Sequence, residues 1–290
     1  MDAHTLALPT DDFADLLAAA EAHDHVPPLS EAYLRALAAG GGEAWAVGEE
    51  GLAVRLPDGN VELVVHPRAR RRGIGTALWR ASSGRGAWAH GDLPQARAAA
   101  EAWGLHKTRE LYVMAIDRET ALRGIAAPEV SGLRRATYAE AVADFGAQVV
   151  DAAWVEANND AFSWHPEQGG WDVPRLHAAM DTDWFDADGV VFYLDGARVA
   201  GFHFTKWHGQ QPSLLGSGRT VRGEVYVVGL AGDYQGRGLG TPIVAEGVWH
   251  LLRRGAGEIV LYVEAENAPA VATYQKMGFR VVESHALYTT

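Results

Sequence analysis

The 290-residue chain contains no cysteine, which excludes disulfides, thiolate nucleophiles and cysteine-ligated metals. It is also short of positive charge: 25 Lys and Arg stand against 37 Asp and Glu, a formal net charge of −12. That balance excludes nucleic acid and an anionic membrane surface as main partners. No uncharged apolar run approaches the ~20 residues needed to span a bilayer. The stretch from Met1 to His25 carries Asp2, Asp11, Asp12, Asp15 and Glu21, unlike a secretory leader. Twelve histidines are present, but no His-Glu-x-x-His or similar spacing occurs, so no metal is expected. The expectation is a cytoplasmic monomer with no membrane or nucleic-acid partner.

What the chain does have is a motif written twice. Arg70-Arg71-Arg72-Gly73-Ile74-Gly75-Thr76 and Gln235-Gly236-Arg237-Gly238-Leu239-Gly240-Thr241 each follow a strand-like run and lead into a helix-like segment. The preceding runs are Glu62-Leu63-Val64-Val65 and Val225-Tyr226-Val227-Val228. A strand, a Gly/Arg-rich loop and a helix start make a phosphate cradle. The glycines let backbone approach the anion, and first-turn amides and the helix dipole face it. The run Arg68, Arg70, Arg71, Arg72 is read as part of such a local anion site. Neither loop completes Gly-x-Gly-x-x-Gly, because Leu78 and Ile243 hold the last position, which argues against a dinucleotide fold.

The apolar pattern around each motif is similar. Helices are expected over 11–22 and 30–39, short strands over 44–47 and 51–56, a turn at Asp58-Gly59-Asn60 and a helix over 94–103. A strand over 110–116 precedes a stretch, 117–131, where periodicity fades. The second half repeats the plan: a helix over 139–157, strands at 190–194, 199–205 and 224–228, a helix from Pro242, a strand at 259–263 and a helix over 268–277. Gly73 and Gly238 lie 165 apart, and Gly104 and Gly278 lie 174 apart, as two diverged copies would. The expected organisation is an N-terminal domain over 1–120, a linker over 121–131 and a C-terminal domain over 132–290. The expected fold class is α/β (α+β), each domain a mixed, mostly antiparallel sheet flanked by helices.

The two loops resemble the acetyl-CoA signature Arg/Gln-x-x-Gly-x-Gly/Ala of the GNAT N-acetyltransferases. The segment from Asn267 to Phe279 (Asn-Ala-Pro-Ala-Val-Ala-Thr-Tyr-Gln-Lys-Met-Gly-Phe) is similar to that family's closing segment. Further stretches resemble its two-domain mycothiol synthase branch: Glu62 to Pro67, Trp88-Ala89-His90-Gly91, His165-Pro166-Glu167-Gln168-Gly169-Gly170-Trp171, Gly201 to Lys206, and Gly223 to Val227. The likeness runs from about Val26 to about Phe279.

The resemblance implies acetyl-CoA as co-substrate. It would be held by Leu63, Val64, Val65, Arg70, Arg71, Arg72, Gly73, Ile74 and Gly75 in the first half. In the second half the matching positions are Val228, Gly229, Leu230, Gln235, Gly236, Arg237, Gly238, Leu239, Gly240 and Thr241, with Asn267, Ala268, Pro269, Ala270, Val271 and Ala272. It implies Glu224 as general base and Tyr274 as proton donor to the departing sulfur. The implied acceptor is cysteinyl-glucosaminyl-inositol, contacted by Glu31, Glu167, Lys206, Glu224 and Tyr262. Carboxylates suit hydroxyls and an ammonium, and a lysine can donate to sugar oxygens.

The repeat offers an internal comparison. At its two offsets Glu224 and Tyr274 fall on Gly59 and Ala100, so the first half is expected to bind CoA or support the fold while the second does the chemistry. Two departures from the family pattern stand out. The second cradle lacks the proline that the first keeps at Pro67, and the stretch from His208 to Arg222 is read as a long loop able to move Lys206. Two alternatives stay open: an acetyltransferase for another small amine, aminoglycoside-like or peptide, and a non-catalytic acyl-CoA-binding protein.

Overall fold

The computed structural model describes residues 3–8, 10, 12–163 and 168–290. By contacts the chain divides into two compact units. The first is Met1–Tyr112 with Glu264–Glu266 and Glu283–Thr290; the second is Val113–Val263 with Asn267–Val282.

The first unit contains β1 (His4–Thr5), α1 (Ala14–Asp24), α2 (Glu31–Ala39), β2 (Glu43–Val47), β3 (Gly51–Arg55), β4 (Asn60–Val65), α3 (Ile74–Ser82), β5 (Gly86–Ala89), α4 (Pro94–Ala102) and the start of β6 (His106–Asp117). Strands β1 to β4 pair antiparallel in order, β4 runs parallel to β5, and the final strand of the chain pairs antiparallel with β5. Leu16, Tyr33, Leu37, Leu52 and Val64 bury the face under α1 and α2. Ile74 and Leu78 of α3 are buried with Val61 and Ala69.

The second unit contains α5 (Arg118–Gly124), β7 (Arg134–Thr137), α6 (Tyr138–Phe145), α7 (Ala147–Ala161), α8 (Val173–Met180), β8 (Val190–Asp195), β9 (Arg198–Pro212), β10 (Arg219–Leu230), α9 (Gly240–Arg254), β11 (Glu258–Glu264), α10 (Ala268–Lys276) and the start of β12 (Arg280–Thr289). Strands β7 to β10 are antiparallel neighbours, and β10 runs parallel to β11. An aromatic cluster fills the α7 face: the Trp154 ring lies 5.4 to 6.1 Å from those of Phe192, Phe202 and Phe204. Edge-to-face rings of this kind add to the burial they bring. Each unit is a mixed, mostly antiparallel sheet flanked by helices, as expected.

By contacts the chain passes from the first unit to the second after Tyr112, within β6. Two expectations need correction. Part of the stretch read as featureless is a helix, α5, because Asp117 caps it by accepting from the Thr120 N–H at 2.8 Å. The expected helix over 139–157 is two helices, α6 and α7, broken at Gly146, whose φ of 82° suits glycine alone. The Thr137/Glu140 capping box starts α6. No described helix is long and apolar enough to cross a membrane.

Candidate active site

The two cradles are the same structure at an offset of 165. Pro67–Ala69 and Gly232–Tyr234 are matching 3-10 turns, closed by Ala69 N–H to the His66 carbonyl and Tyr234 N–H to the Ala231 carbonyl, both 2.8 Å. Arg70 Nε then donates to the Val65 carbonyl at 3.2 Å, and Gln235 Nε2 to the Leu230 carbonyl at 3.0 Å. The Arg/Gln of the signature therefore ties the loop back to the end of its strand. Next come paired left-handed residues, Arg71 and Gly73 (φ 63° and 84°) and Gly236 and Gly238 (φ 72° and 78°). Alternating hands turn successive N–H groups inward into an anion nest. Neither α3 nor α9 has a side chain capping its start, so both keep open first-turn donors.

The missing proline has a structural reason. Gly232 holds the Pro67 position, and its N–H donates to Asp160 Oδ2 at 2.5 Å, a bond proline has no hydrogen to make.

Beside each cradle two parallel strands part. The paired register of β4 with β5 ends at Val61 and Ala87, and that of β10 with β11 at Val225 and Leu261. Leu63, Val64 and Val65, and likewise Val228, Gly229 and Leu230, lie beyond these points and can offer backbone N–H and C=O groups to an extended ligand arm. In the first unit the gap opens into a cavity of about 460 Å³ lined by Val65, Arg71, Gly73, Trp88, His90 and Trp103. In the second unit a cavity of about 370 Å³ adjoins Arg237, Gly238 and Leu239.

The cradles differ in charge. Arg70 makes a two-pronged ion pair with Asp24, at 2.8 and 2.5 Å, and Arg72 pairs with Glu50 at 3.1 Å. Burial pushes the Asp24 carboxyl up, but hydrogen bonding and charge from Arg70 outweigh it and hold the group below its usual range. In the second cradle the Arg237 guanidinium lies 5.0 Å over the Tyr234 ring.

Glu224 sits on β10 one residue before the strands part, 5 % exposed and directly opposite Lys206 on β9. The Lys206 ammonium lies over the rings of Trp184 and Tyr226, at 5.0 and 5.6 Å. Tyr262, half exposed on β11, shares the parity of Val260, the register partner of Glu224. Lys206, Glu224 and Tyr262 thus share one sheet face. Asn267 caps α10 by accepting from the Ala270 N–H at 3.2 Å, with Ala268, Pro269, Val271 and Ala272 in the same first turns. Tyr274 on that helix is buried against Phe279, and burial pushes its hydroxyl up to about 12. Glu31 is the exposed first residue of α2, in the first unit. Glu167 lies outside the described residues, as do His165 and Pro166.

The stretch from His208 to Arg222 is not a long loop. Strands β9 and β10 extend through it, leaving only residues 213–218 as connection. Buried Glu258 holds that connection by accepting from Ser213 Oγ and Leu214 N–H at 3.0 Å, Leu215 N–H at 3.1 Å and Arg222 at 3.0 Å. Lys206 accordingly stays in register with Glu224.

Sequence reasoning missed two groups. One is His208, which touches Glu224. The other is a buried chain in the first unit. Glu62 accepts from Ser30 N–H at 2.6 Å and lies 2.8 Å from His90 Nε2, while His90 Nδ1 lies 2.9 Å from His285 Nδ1. Burial and the His90 charge push His285 down to about 3. The first half therefore has a carboxylate near its strand gap after all, though a helix start and an imidazole engage it. The offset comparison passed over it because Glu62 is three residues from Gly59.

Paired cradles, parting parallel strands and mostly antiparallel sheets define a GNAT N-acetyltransferase. The Acetyltransferase (GNAT) family model matches residues 139–279. The fold is similar to a tandem GNAT protein from the clavulanic acid biosynthesis pathway, with TM-score 0.66 and 18% identity over 100% of this chain and 98% of that one. It is likewise similar to a GNAT acetyltransferase from Sphaerobacter thermophilus, with TM-score 0.67 and 20% identity over 99% and 95%. Among curated proteins, the chain is 46% identical to a mycothiol acetyltransferase of Corynebacterium aurimucosum, covering 94% of this chain and 92% of that one. It is 43% identical to a mycothiol acetyltransferase of Corynebacterium glutamicum, over 94% and 91%. The chain belongs to the mycothiol acetyltransferase family.

Proposed function

We propose that the enzyme transfers the acetyl group of acetyl-CoA to the cysteinyl amine of cysteinyl-glucosaminyl-inositol, and that the second unit does the chemistry. The observation that carries this reading is the buried Glu224, placed one residue before β10 and β11 part. A thioester arm following the second cradle into that gap reaches the same strand. The pyrophosphate fits the nest of Gly236 and Gly238, and the pantetheine arm fits the free edge of Val228, Gly229 and Leu230.

An α-amino group titrates near ~7.7–8.0, so a modest base suffices to free its lone pair. Glu224 takes the ammonium proton and the amine attacks the thioester carbonyl. Backbone N–H groups beyond Val225 face the oxygen on which charge develops. Tyr274 serves the leaving sulfur. Its hydroxyl, held at about 12, stays protonated, and against a thiol near ~8.5 it acts by hydrogen-bonding the departing thiolate as charge builds. Lys206 and Tyr262 are assigned to the acceptor's hydroxyls, and Glu167 to the same acceptor.

The first unit, near the expected domain 1–120, is assigned CoA binding without turnover. Its cavity and nest support binding, and the engagement of Glu62 by His90 and Ser30 supports the lack of a free base. The test is CoA release from acetyl-CoA across a panel of amines that includes the cysteinyl glycoside. Fastest turnover on that glycoside is expected. Preference for an aminoglycoside or peptide amine would refute the acceptor, and CoA binding without turnover of any amine would refute catalysis.

A further inference from the structure

Strand β9 carries a bulge whose extra residue is a histidine. Trp207 pairs with Gly223 and Gly209 with Arg222, so His208 stands between them without a register partner. His208 comes two residues after Lys206, so alternation from the Lys206–Glu224 pair already turns it toward this face, and the bulge lies at that point. Here the imidazole meets the carboxylate of Glu224, Nε2 to Oε2 at 2.6 Å. Its side chain is 25% exposed and that of Glu224 7%. The backbone around it is held as well, since Gln211 Nε2 donates to the His208 carbonyl at 3.0 Å.

We propose that His208 is a positioning residue for Glu224, an inference that rests on the acetyl-transfer reading. As the acceptor is a carboxylate, the imidazole is in its Nε2–H form and donates to Oε2. That bond fixes the plane of the carboxylate and leaves Oε1 to take the proton: the N–H bond of the acceptor's ammonium breaks and an O–H bond forms on Glu224. Among the described residues, Lys206 on β9, Tyr226 on β10, Tyr262 on β11 and the Arg222–Glu258 ion pair are further polar groups near this face. Arg222 pairs with Gly209 beside the bulge, and its guanidinium is engaged by Glu258. A buried carboxylate with one oxygen tethered presents the other at a constant angle, which matters because misplacing a reacting group by about 1 Å can cost ~100-fold in rate.

The test compares full-length wild type, His208→Ala, His208→Gln, Glu224→Gln and the double variant His208→Ala/Glu224→Gln. Loss of a hydrogen bond to a charged group predicts a kcat about 10- to 100-fold lower in His208→Ala, with KM for acetyl-CoA within about two-fold. His208→Gln keeps a donor and is expected to recover most of the rate. In the Glu224→Gln background the alanine change is expected to cost nothing further. An unchanged kcat in His208→Ala, or an equal loss in both backgrounds, would overturn the proposal. A second readout does not need turnover: the ¹⁵N signals of the His208 ring are expected to show the Nε2–H form and to shift in Glu224→Gln. A ring indifferent to that substitution overturns the proposal even if no amine is acetylated, whereas failure to acetylate any amine with the ring signals as expected counts against the acetyl-transfer reading alone.

Discussion

Mild acid should loosen the helix that follows the second cradle, through one buried histidine. His203 on β9 is fully buried, and its Nδ1 lies 2.9 Å from the carbonyl of Ile243 in the first turns of α9. The ring lies against Gly247, where a Cβ would come within 2.1 Å of Cε1, so glycine is needed for the histidine to enter. Nε2 has no partner among the described residues. Burial pushes this imidazole down to about 4 from 6.5, outweighing the pull of the Ile243 carbonyl in the other direction. The folded state therefore holds the neutral form while the unfolded state takes a proton first. Stability from this site is complete above pH ~6.5 and is lost as pH falls toward ~4. At about pH 5 the gap is ~1.5 pH units, or about 2 kcal/mol at 1.36 kcal/mol per unit. That is a large share of an ordinary folding free energy of ~5–15 kcal/mol. Urea unfolding of wild type and His203→Asn at about pH 7.5 and about pH 5 measures it. Asparagine keeps a donor toward Ile243 and does not titrate, so the variant should lose about 2 kcal/mol less over the interval. Equal losses in the two proteins would show that His203 does not set this pH dependence.

Two further outcomes follow from the site. Gln235→Ala removes the tie to the Leu230 carbonyl and should raise KM for acetyl-CoA about 3- to 10-fold with kcat nearly unchanged, read from steady-state kinetics. Tyr274→Phe keeps the packing on Phe279 and should lower kcat ~100-fold with an unchanged melting temperature; a full kcat would remove the hydroxyl from the reaction.

Much of this architecture was legible because it is local. Gly and Arg at fixed spacing after an apolar run announce a cradle wherever it occurs, and the second occurrence announces a repeat. The helix start at Pro94 could be read from a residue type that suits first turns, and Pro242 falls in the first turn of α9, two residues past its start at Gly240. What escaped was long-range or depended on register. The last strand joins the first unit, Ala286 opposite Ala89, a pairing between residues nearly 200 positions apart that no local pattern encodes. His208 reaches Glu224 on the neighbouring strand, 16 residues along the chain, through a pairing register that no local pattern encodes. The connection at 213–218 is short because Glu258, far along the chain, satisfies its backbone. Glu62 looked like an ordinary strand residue until His90 and the start of α2 closed around it.

In the proposed mechanism Glu224 frees the cysteinyl amine for attack. That step is tested most directly by kcat/KM for cysteinyl-glucosaminyl-inositol in wild type and Glu224→Gln, measured by CoA release at saturating acetyl-CoA. A general base of this kind contributes ~100- to 10,000-fold. A loss in that range is expected for Glu224→Gln, with acetyl-CoA binding retained. Equal rates in the two proteins would contradict it.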